Sequence, residues 1–540
     1  MRTSERVRCS RFSPGNATLT PVASTARVAH RATATGATTK IVIVIWILAV
    51  AARLVLINQP YVDHWSWRQS DVAAIARNFL QKGFRFGYPQ IDWTGNAPGY
   101  VGTEFPILPF IAAVCYKFAG VHEWIGRVQA VILFAVSLPC FFLLVREIFG
   151  SAAAAWASFF YCFAPLNVFA GRSFMPDVPS LSFAIVGLYF FLRWVQHAQP
   201  SSLLLAALAI SLSFLIKITS IVIVAPLMYL AVGRLCQTPG VSQNRAGGNR
   251  ASGSERVKRP IILGIIVFSA IALLPSAIWY WHAYQIAQQF YPHHFFGAGG
   301  IRVETFSWYW HIAQQTFVSG LTPALSAIAL VGLFVPQSRD RRYSRLFHWW
   351  LAAMIVFIII VGYGNRHRWY QLPLVPIAAA FAGAACASVG SKISSRLAAI
   401  TSSILLAVTF LILAFAYVRP FYESSAAQLR DAGLELKKVT PADALIVAAD
   451  MGDPTIFYYA ERQGWHFLEN DSIYNGNPDD SGQAIENLER LRGCGATHFV
   501  FTKNTFWWTQ SYPEFVGHLK NHAVLIEATS AFRIYKLTGR

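Results

Sequence analysis

Charged side chains are scarce in this chain, and those beside apolar runs gather in a few short stretches. One reads YVDHWSWRQSD and carries Asp63, His64, Trp65, Trp67, Arg68 and Asp71. A second, IDWTGNAPGYVGTEFPILPF, adds Asp92 and Glu104; a third, GRSFMPD, adds Arg172 and Asp177. Lys217 interrupts a long apolar stretch, and GNRHRWYQLPLVP brings Arg366, His367, Arg368 and Tyr370. A positioned carboxylate can take a proton from a hydroxyl. A guanidinium presents a planar fork that meets phosphate oxygens two at a time. Leaving either group unpaired next to hydrocarbon is costly, so a concentration of them there asks for a use.

Each residue also has a plainer role open to it. Asp63 can be an ordinary loop acid, and Asp177, after Pro176, can cap a helix N-terminus. Arg172 and Lys217, like Arg53 and Arg127, can snorkel from helix ends. Trp65, Trp67, Trp93 and Trp124 can form an interfacial aromatic belt. His64 has no second ligand at metal spacing and reads better as a hydrogen-bonding loop residue. The seven cysteines form no C-x-x-C pair and imply neither a metal nor a disulfide framework.

The elements that must position these residues follow from composition. Of 540 residues, 13% are charged, about half the usual share of a soluble protein, and 55% are hydrophobic. Mean hydropathy is +0.41. A disordered chain, a disulfide scaffold and a soluble enzyme are thereby disfavoured. Eleven apolar segments stand out, beginning near residues 41, 124, 152, 178, 202, 218, 261, 317, 347, 372 and 398. Eleven crossings use roughly 220 residues at about 20 each. The expectation is an all-α polytopic membrane protein of about eleven transmembrane helices.

The net charge of +19 would suggest nucleic acid in a soluble protein. Here the basic residues sit in short connections, and topology accounts for them, so no nucleic-acid partner is expected. Arg245, Arg250, Arg256 and Lys258, then Arg339, Arg341, Arg342 and Arg345, then Lys392 to Arg396 mark inner loops. Residues 1–40 read as a disordered basic cytoplasmic tail. Residues 41–419 read as the membrane domain, with residues 59–123 as a first outer loop. That orientation puts every stretch named above on the outer face. Residues 420–540 read as a small extracytoplasmic α/β domain. Ala444–Asp450 suggests a strand, Pro454–Gly464 a short helix, 484–495 a helix, 497–503 a strand and 523–537 a hairpin. No nucleophile triad or metal spacing is visible in it, and no internal repeat in the chain suggests a two-half transporter.

Taken in order, Asp63 after the first span, TEFPILPF (Thr103–Phe110), WIGRVQAV with REIFG, AGRSFMPDVPSL and HRWYQLPLVP resemble a known family. It is the polyprenyl-phosphate-sugar-dependent glycosyltransferases of the GT-C fold, which include protein O-mannosyltransferase and aminoarabinose transferase relatives. The resemblance covers roughly residues 40–390. It departs from the pattern at His64, where many relatives carry a second acid, and at TEFP, where some have His-Pro-Pro.

The resemblance implies transfer of a sugar from a polyprenyl-phosphate donor to an acceptor hydroxyl on a glycan, lipid or protein, with inversion. It implies Asp63 as general base and Asp177 in support. Arg172, Lys217, Arg366 and Arg368 become candidates for the donor phosphate. His64, Arg68, Glu104 and Tyr370 become acceptor or loop support. No cofactor is required, a divalent cation stays open, and the expected location is a bacterial plasma membrane with a cytoplasmic N-terminus. The alternative is a lipid-linked glycan transporter or flippase. A transporter should carry ionisable groups near the bilayer midplane, whereas these acids lie at outer ends.

Overall fold

The computed structural model describes residues 22–236, 250–295, 301–336, 343–470 and 473–539. Residues 1–21 of the expected tail, and Arg245, Arg339, Arg341 and Arg342 of the inner loops, lie outside the described residues. From Val22 the chain is already helical and runs unbroken to Leu54, so the first helix starts well before the apolar run at residue 41.

All the apolar segments form helices, but they differ in length. Five helices are long and apolar enough to cross a membrane: Glu123–Phe149, Asp177–His197, Ile218–Cys236, Arg259–Gln289 and Arg396–Val439. Phe306–Gly320 and Pro323–Leu333 count as a sixth only together, across a bend of 106°. Helix lengths therefore do not establish eleven full crossings. Ser151–Phe163, Pro200–Ile216, Leu346–Val361 and Leu374–Gly390 are shorter. At 1.5 Å per residue, helices of such length span about 20–25 Å, less than the roughly 30 Å hydrocarbon layer. The causes are local. Pro165 ends the Ser151–Phe163 helix and starts a six-residue one, and Lys217 adopts an extended conformation between Pro200–Ile216 and a 3₁₀ turn. The short helices stack closely: Gly383 lies against the backbone of Ala153 and Ala157, where any side chain would collide.

The loop at residues 59–123 is more ordered than a polar, aromatic stretch suggests. It contains the helices Ser66–Gln81 and Ile107–Ala119. The first is polar on several sides, yet Arg68, Gln69, Ser70, Asp71, Arg77 and Asn78 are all buried. Ser70 and Arg77 are covered by the C-terminal domain at Thr455 and Tyr458, while Gln69 meets Asp63 and Arg127, Arg68 meets Glu104, and Asn78 meets Asp92.

That domain is α/β, as expected. Its strands are β1 (Leu445–Ala449), β2 (Gln463–His466), β3 (Glu469–Asn470), β4 (Ile473–Tyr474), β5 (His498–Thr502), β6 (Ala523–Ala528) and β7 (Phe532–Leu537). Five of them form one sheet in the order β2-β1-β5-β7-β6, with β2, β1 and β5 parallel and the hairpin β6–β7 antiparallel. β2 begins within the last two residues of the segment that the sequence suggests as helix, Pro454–Gly464. The Thr455–Ala460 helix stops at Glu461, which takes a left-handed conformation (φ 50°) and releases the chain into the strand.

The domain is joined to the first loop by backbone as well as side chains. Gly95 N–H donates to the Gly464 carbonyl (2.7 Å), and Gly464 N–H donates to the Asp92 carbonyl (3.1 Å). Ala426 N–H donates to Val62 (3.0 Å), and Tyr61 N–H donates to the Tyr459 hydroxyl (2.8 Å). Arg77 reaches both the Tyr458 carbonyl and Asp92. Gly95 has φ +58° and lies where a Cβ would overlap the Trp465 ring. Gly95→Ala should therefore loosen the contact by on the order of 1–3 kcal/mol. Limited proteolysis of the purified protein should show faster release of the C-terminal domain, with the membrane helices retained.

Candidate functional site

Three side-chain groups converge where the first loop meets the helix ends. The innermost centres on Asp63, which is fully buried. Its Oδ1 accepts from Gln69 Nε2 (2.7 Å) and from the Trp65 backbone N–H (3.1 Å). Its Oδ2 lies 3.2 Å from Arg127 Nη2 and 3.8 Å from Arg172 Nη1. Both arginines are buried too, and each also donates to the chain that leaves the first helix: Arg127 to Ile57 (3.1 Å) and Arg172 to Leu56 (2.7 Å). Arg127 is thus an ion-pair partner rather than a snorkelling residue. Arg172 faces Asp63, not an open cavity.

The second group starts at Asp177. It is the first residue of its helix, with no side-chain cap bond, and pairs with Lys217 Nζ at 2.7 Å. The capping and snorkelling readings of these two residues therefore give way to a buried ion pair. Lys217 also stands over the Tyr370 ring, 4.4 Å from its centroid. Beside it, Arg68 meets both oxygens of Glu104 (2.8 and 2.9 Å), and Thr103 donates to the same carboxylate (2.9 Å). Burial alone would raise the Glu104 pKa, but Arg68 and Lys217 hold it down at about 2. Arg68 lies 3.6 Å from Asp71, whose other contact is the Trp93 indole N–H (3.1 Å). Burial lifts the Asp71 carboxyl to about 6 against the pull of Arg68 and Trp93.

The third group lines a polar cavity of about 390 Å³. Its walls include His64, Trp67, His311, Gln315, Arg366, His367 and Arg368. His367 stacks flat on Trp369 (4.5 Å) and tilts against Trp67 (5.5 Å). Burial pushes its imidazole down to about 4, and the charges of Arg366, Lys217 and Arg68 act in the same direction. Burial also lowers His64, with Arg368 adding to the effect. Both histidines are neutral near pH 7, and the arginines hold the cavity positive. Next to it, and sharing Ile312, runs an apolar groove of about 320 Å³ lined by Ala313, Phe317, Leu321, Leu330 and Phe381 among others.

The structure thus brings Arg366, Arg368 and His64 into one cavity, and Lys217, Asp177, Tyr370, Arg68 and Glu104 into a network beside it. It keeps Asp63 and Arg172 apart in a closed centre. His311 and Gln315 were missed because they lie just before the apolar run that begins near residue 317, in a stretch to which the sequence reading gave no role. The turn there is a π-helix, Gln315–Gly320, which a periodicity argument does not reveal. Among the described residues, no three His, Cys, Asp or Glu side chains stand together as a metal site.

The sequence profile of the dolichyl-phosphate-mannose-protein mannosyltransferase family matches residues 103–241. A sequence search of the curated proteins finds no match. In structure, the chain is similar to ArnT from Cupriavidus metallidurans in the apo state (TM-score 0.59, 15% identity), covering 92% of this chain and 98% of that one. The chain has the GT-C fold. The same ArnT bound to undecaprenyl phosphate superposes with a TM-score of 0.57 at 13% identity and the same coverage. AglB from Archaeoglobus fulgidus, in complex with an inhibitory peptide and a dolichol-phosphate, gives 0.53 at 13% identity, covering 92% of this chain and 74% of that one. The resemblance carried by the sequence motifs and the architecture agree.

Removing one partner from a buried ion cluster strands the others. Asp63→Ala should cost about 3–5 kcal/mol, because Arg127 and Arg172 then lie uncompensated in the interior. Fluorescence-detected gel filtration and a thermal melt in detergent should show lost monodisperse protein. Glu104→Gln, at the rim, should show a much smaller shift.

Proposed function

We propose that the chain transfers a sugar from a polyprenyl-phosphate donor to an acceptor hydroxyl at the outer face of a membrane. The observation that carries this reading is the meeting, at Ile312, of a cationic aromatic cavity with an apolar groove. A lipid-borne sugar phosphate has that same division: a hydrocarbon tail, an anion and a polar ring. The groove takes the tail. Arg366 and Arg368 take the phosphate, and the stacked His367 and Trp369 with Trp67 offer ring faces to the sugar. Lys217 and Arg68 extend the positive field, while Arg172 serves the fold. The undecaprenyl phosphate and dolichol-phosphate carried by the ArnT and AglB structures are ligands of the same type.

The base is a carboxylate with spare acceptor capacity and a pKa near working pH. Asp63 is expected to fill that role from the resemblance, but four donors and cations surround it and it is fully buried. Asp71 is buried too, but it has two partners among the described residues and a carboxyl lifted to about 6. We assign Asp71 as the base and Asp63 as the anchor of the loop that carries it, with Asp177 holding Lys217. Asp71 removes the acceptor proton as the acceptor oxygen bonds to the anomeric carbon. The bond from that carbon to the phosphate oxygen breaks on the opposite side, and polyprenyl phosphate leaves into the arginine field with inversion.

The location we propose is a bacterial plasma membrane, crossed eleven times. The shorter helices are accommodated by local thinning, the N-terminus is inside and residues 420–540 are outside. Three results test the reading. Lipid-phosphate release should fall about tenfold per pH unit below about pH 6 and stay level above it, since protonated Asp71 cannot accept a proton. Asp71→Asn should abolish turnover with the fold intact. Exchanging both Arg366 and Arg368 for Gln should weaken undecaprenyl-phosphate binding by about 10- to 100-fold, measured by native mass spectrometry. A flippase without transferase activity would release no lipid phosphate at any pH.

A further inference from the structure

The C-terminal domain meets the first loop through the carboxyl ends of its parallel strands. Open α/β sheets present their ligand-binding crevice at that edge. Asp450 follows β1 directly and His466 ends β2; both are buried. His466 Nδ1 lies 2.9 and 2.8 Å from the two Asp450 oxygens. In the neutral ring, a carboxylate in that position holds the proton on Nδ1 and leaves Nε2 as an acceptor. Nε2 has no hydrogen-bond partner among the described residues. The ring is gripped by Phe457 (5.3 Å) and Tyr474 (6.4 Å) and tilts against Trp93 (5.3 Å). Trp93 is the residue whose indole N–H holds Asp71. Two further bonds set the spacing: Ser66 to Asp453 (2.7 Å) and Ser70 with Thr455 (3.0 Å).

A histidine needed only for packing would not require a carboxylate to fix its tautomer. An oriented imidazole nitrogen beside a partly buried indole suits a hydroxyl group on a ring with an apolar face, which is a carbohydrate. We propose that His466, oriented by Asp450, and Trp93 form the acceptor subsite, and that the acceptor is a glycan whose hydroxyl is held next to Asp71. This rests on the transferase reading and extends it: the outer domain selects the acceptor, while the membrane domain holds the donor.

The test uses the full chain in lipid nanodiscs, undecaprenyl-phosphate mannose as donor and methyl α-D-mannopyranoside as probe acceptor. His466→Ala and Asp450→Asn should each raise the KM for the glycoside by about tenfold. Undecaprenyl-phosphate affinity should be unchanged. His466→Gln, whose side-chain oxygen still accepts, should recover part of the loss. Without donor, the glycoside should raise the melting temperature of the wild-type chain and not that of His466→Ala. An unchanged KM in both variants, or no glycoside-dependent shift in the wild type, overturns the subsite. Loss of lipid-phosphate affinity in His466→Ala also overturns it, since the residue would then be structural. Failure of the wild type to bind undecaprenyl phosphate, with the glycoside shift intact, overturns the transferase reading instead.

Discussion

One carboxylate between two guanidinium groups, all three removed from water, sets the rest of this structure. Asp63 joins Arg127 of the second long helix to Arg172 of the loop before the next, and both arginines grip the chain leaving the first helix. Such a centre adds little net stability, because desolvation offsets attraction. Its value is geometric. Three helix ends and the start of the outer loop can satisfy those charges in one arrangement only, and the Ser66–Gln81 helix is launched from it.

With that point fixed, the cations divide by what they face. Arg127 and Arg172 are consumed by Asp63, and Lys217 is met by Asp177 and a tyrosine ring. Arg366 and Arg368 line open space. A site for an anion needs uncommitted positive charge in a place solvent can leave, and the structure supplies it by neutralising the other cations internally. The neutral imidazoles of His64 and His367 belong to the same economy: burial, helped by the surrounding cations, keeps them uncharged, so they offer polar edges and ring faces without further repulsion.

The sequence made much of this legible. Apolar runs gave the helices, and the motif series pointed to the fold before any coordinates. Grouping the polar residues on one face was within reach because charge is rare in such a chain. Assigning roles within the group was not. Asp63 and Asp71 lie on the same short stretch and have the same chemistry; only their partners separate the proposed anchor from the proposed base, and Arg127 and Trp93 come from elsewhere in the chain. Asp450 and His466 were hidden for a related reason. Asp450 follows β1 and His466 ends β2, a strand the sequence reading did not register, and the pair exists only because parallel pairing sets those strands side by side. The span count was the weakest expectation, since hydropathy registers apolar length and does not see the break at Pro165 or how short the helices are.

The backbone exchange between Gly95, Gly464 and Asp92 makes the outer domain a structural lid on the loop beneath it. A shortened chain ending near residue 420 would expose Arg77, Asn78 and Asp92 to water and leave the Ser66–Gln81 helix without its roof. Truncation would then yield a bundle with a collapsed mouth instead of a minimal catalyst. Evolutionary exchange of this domain would have to carry the loop along, so the two are best regarded as one inherited unit despite the nearly 300 residues of chain that separate them.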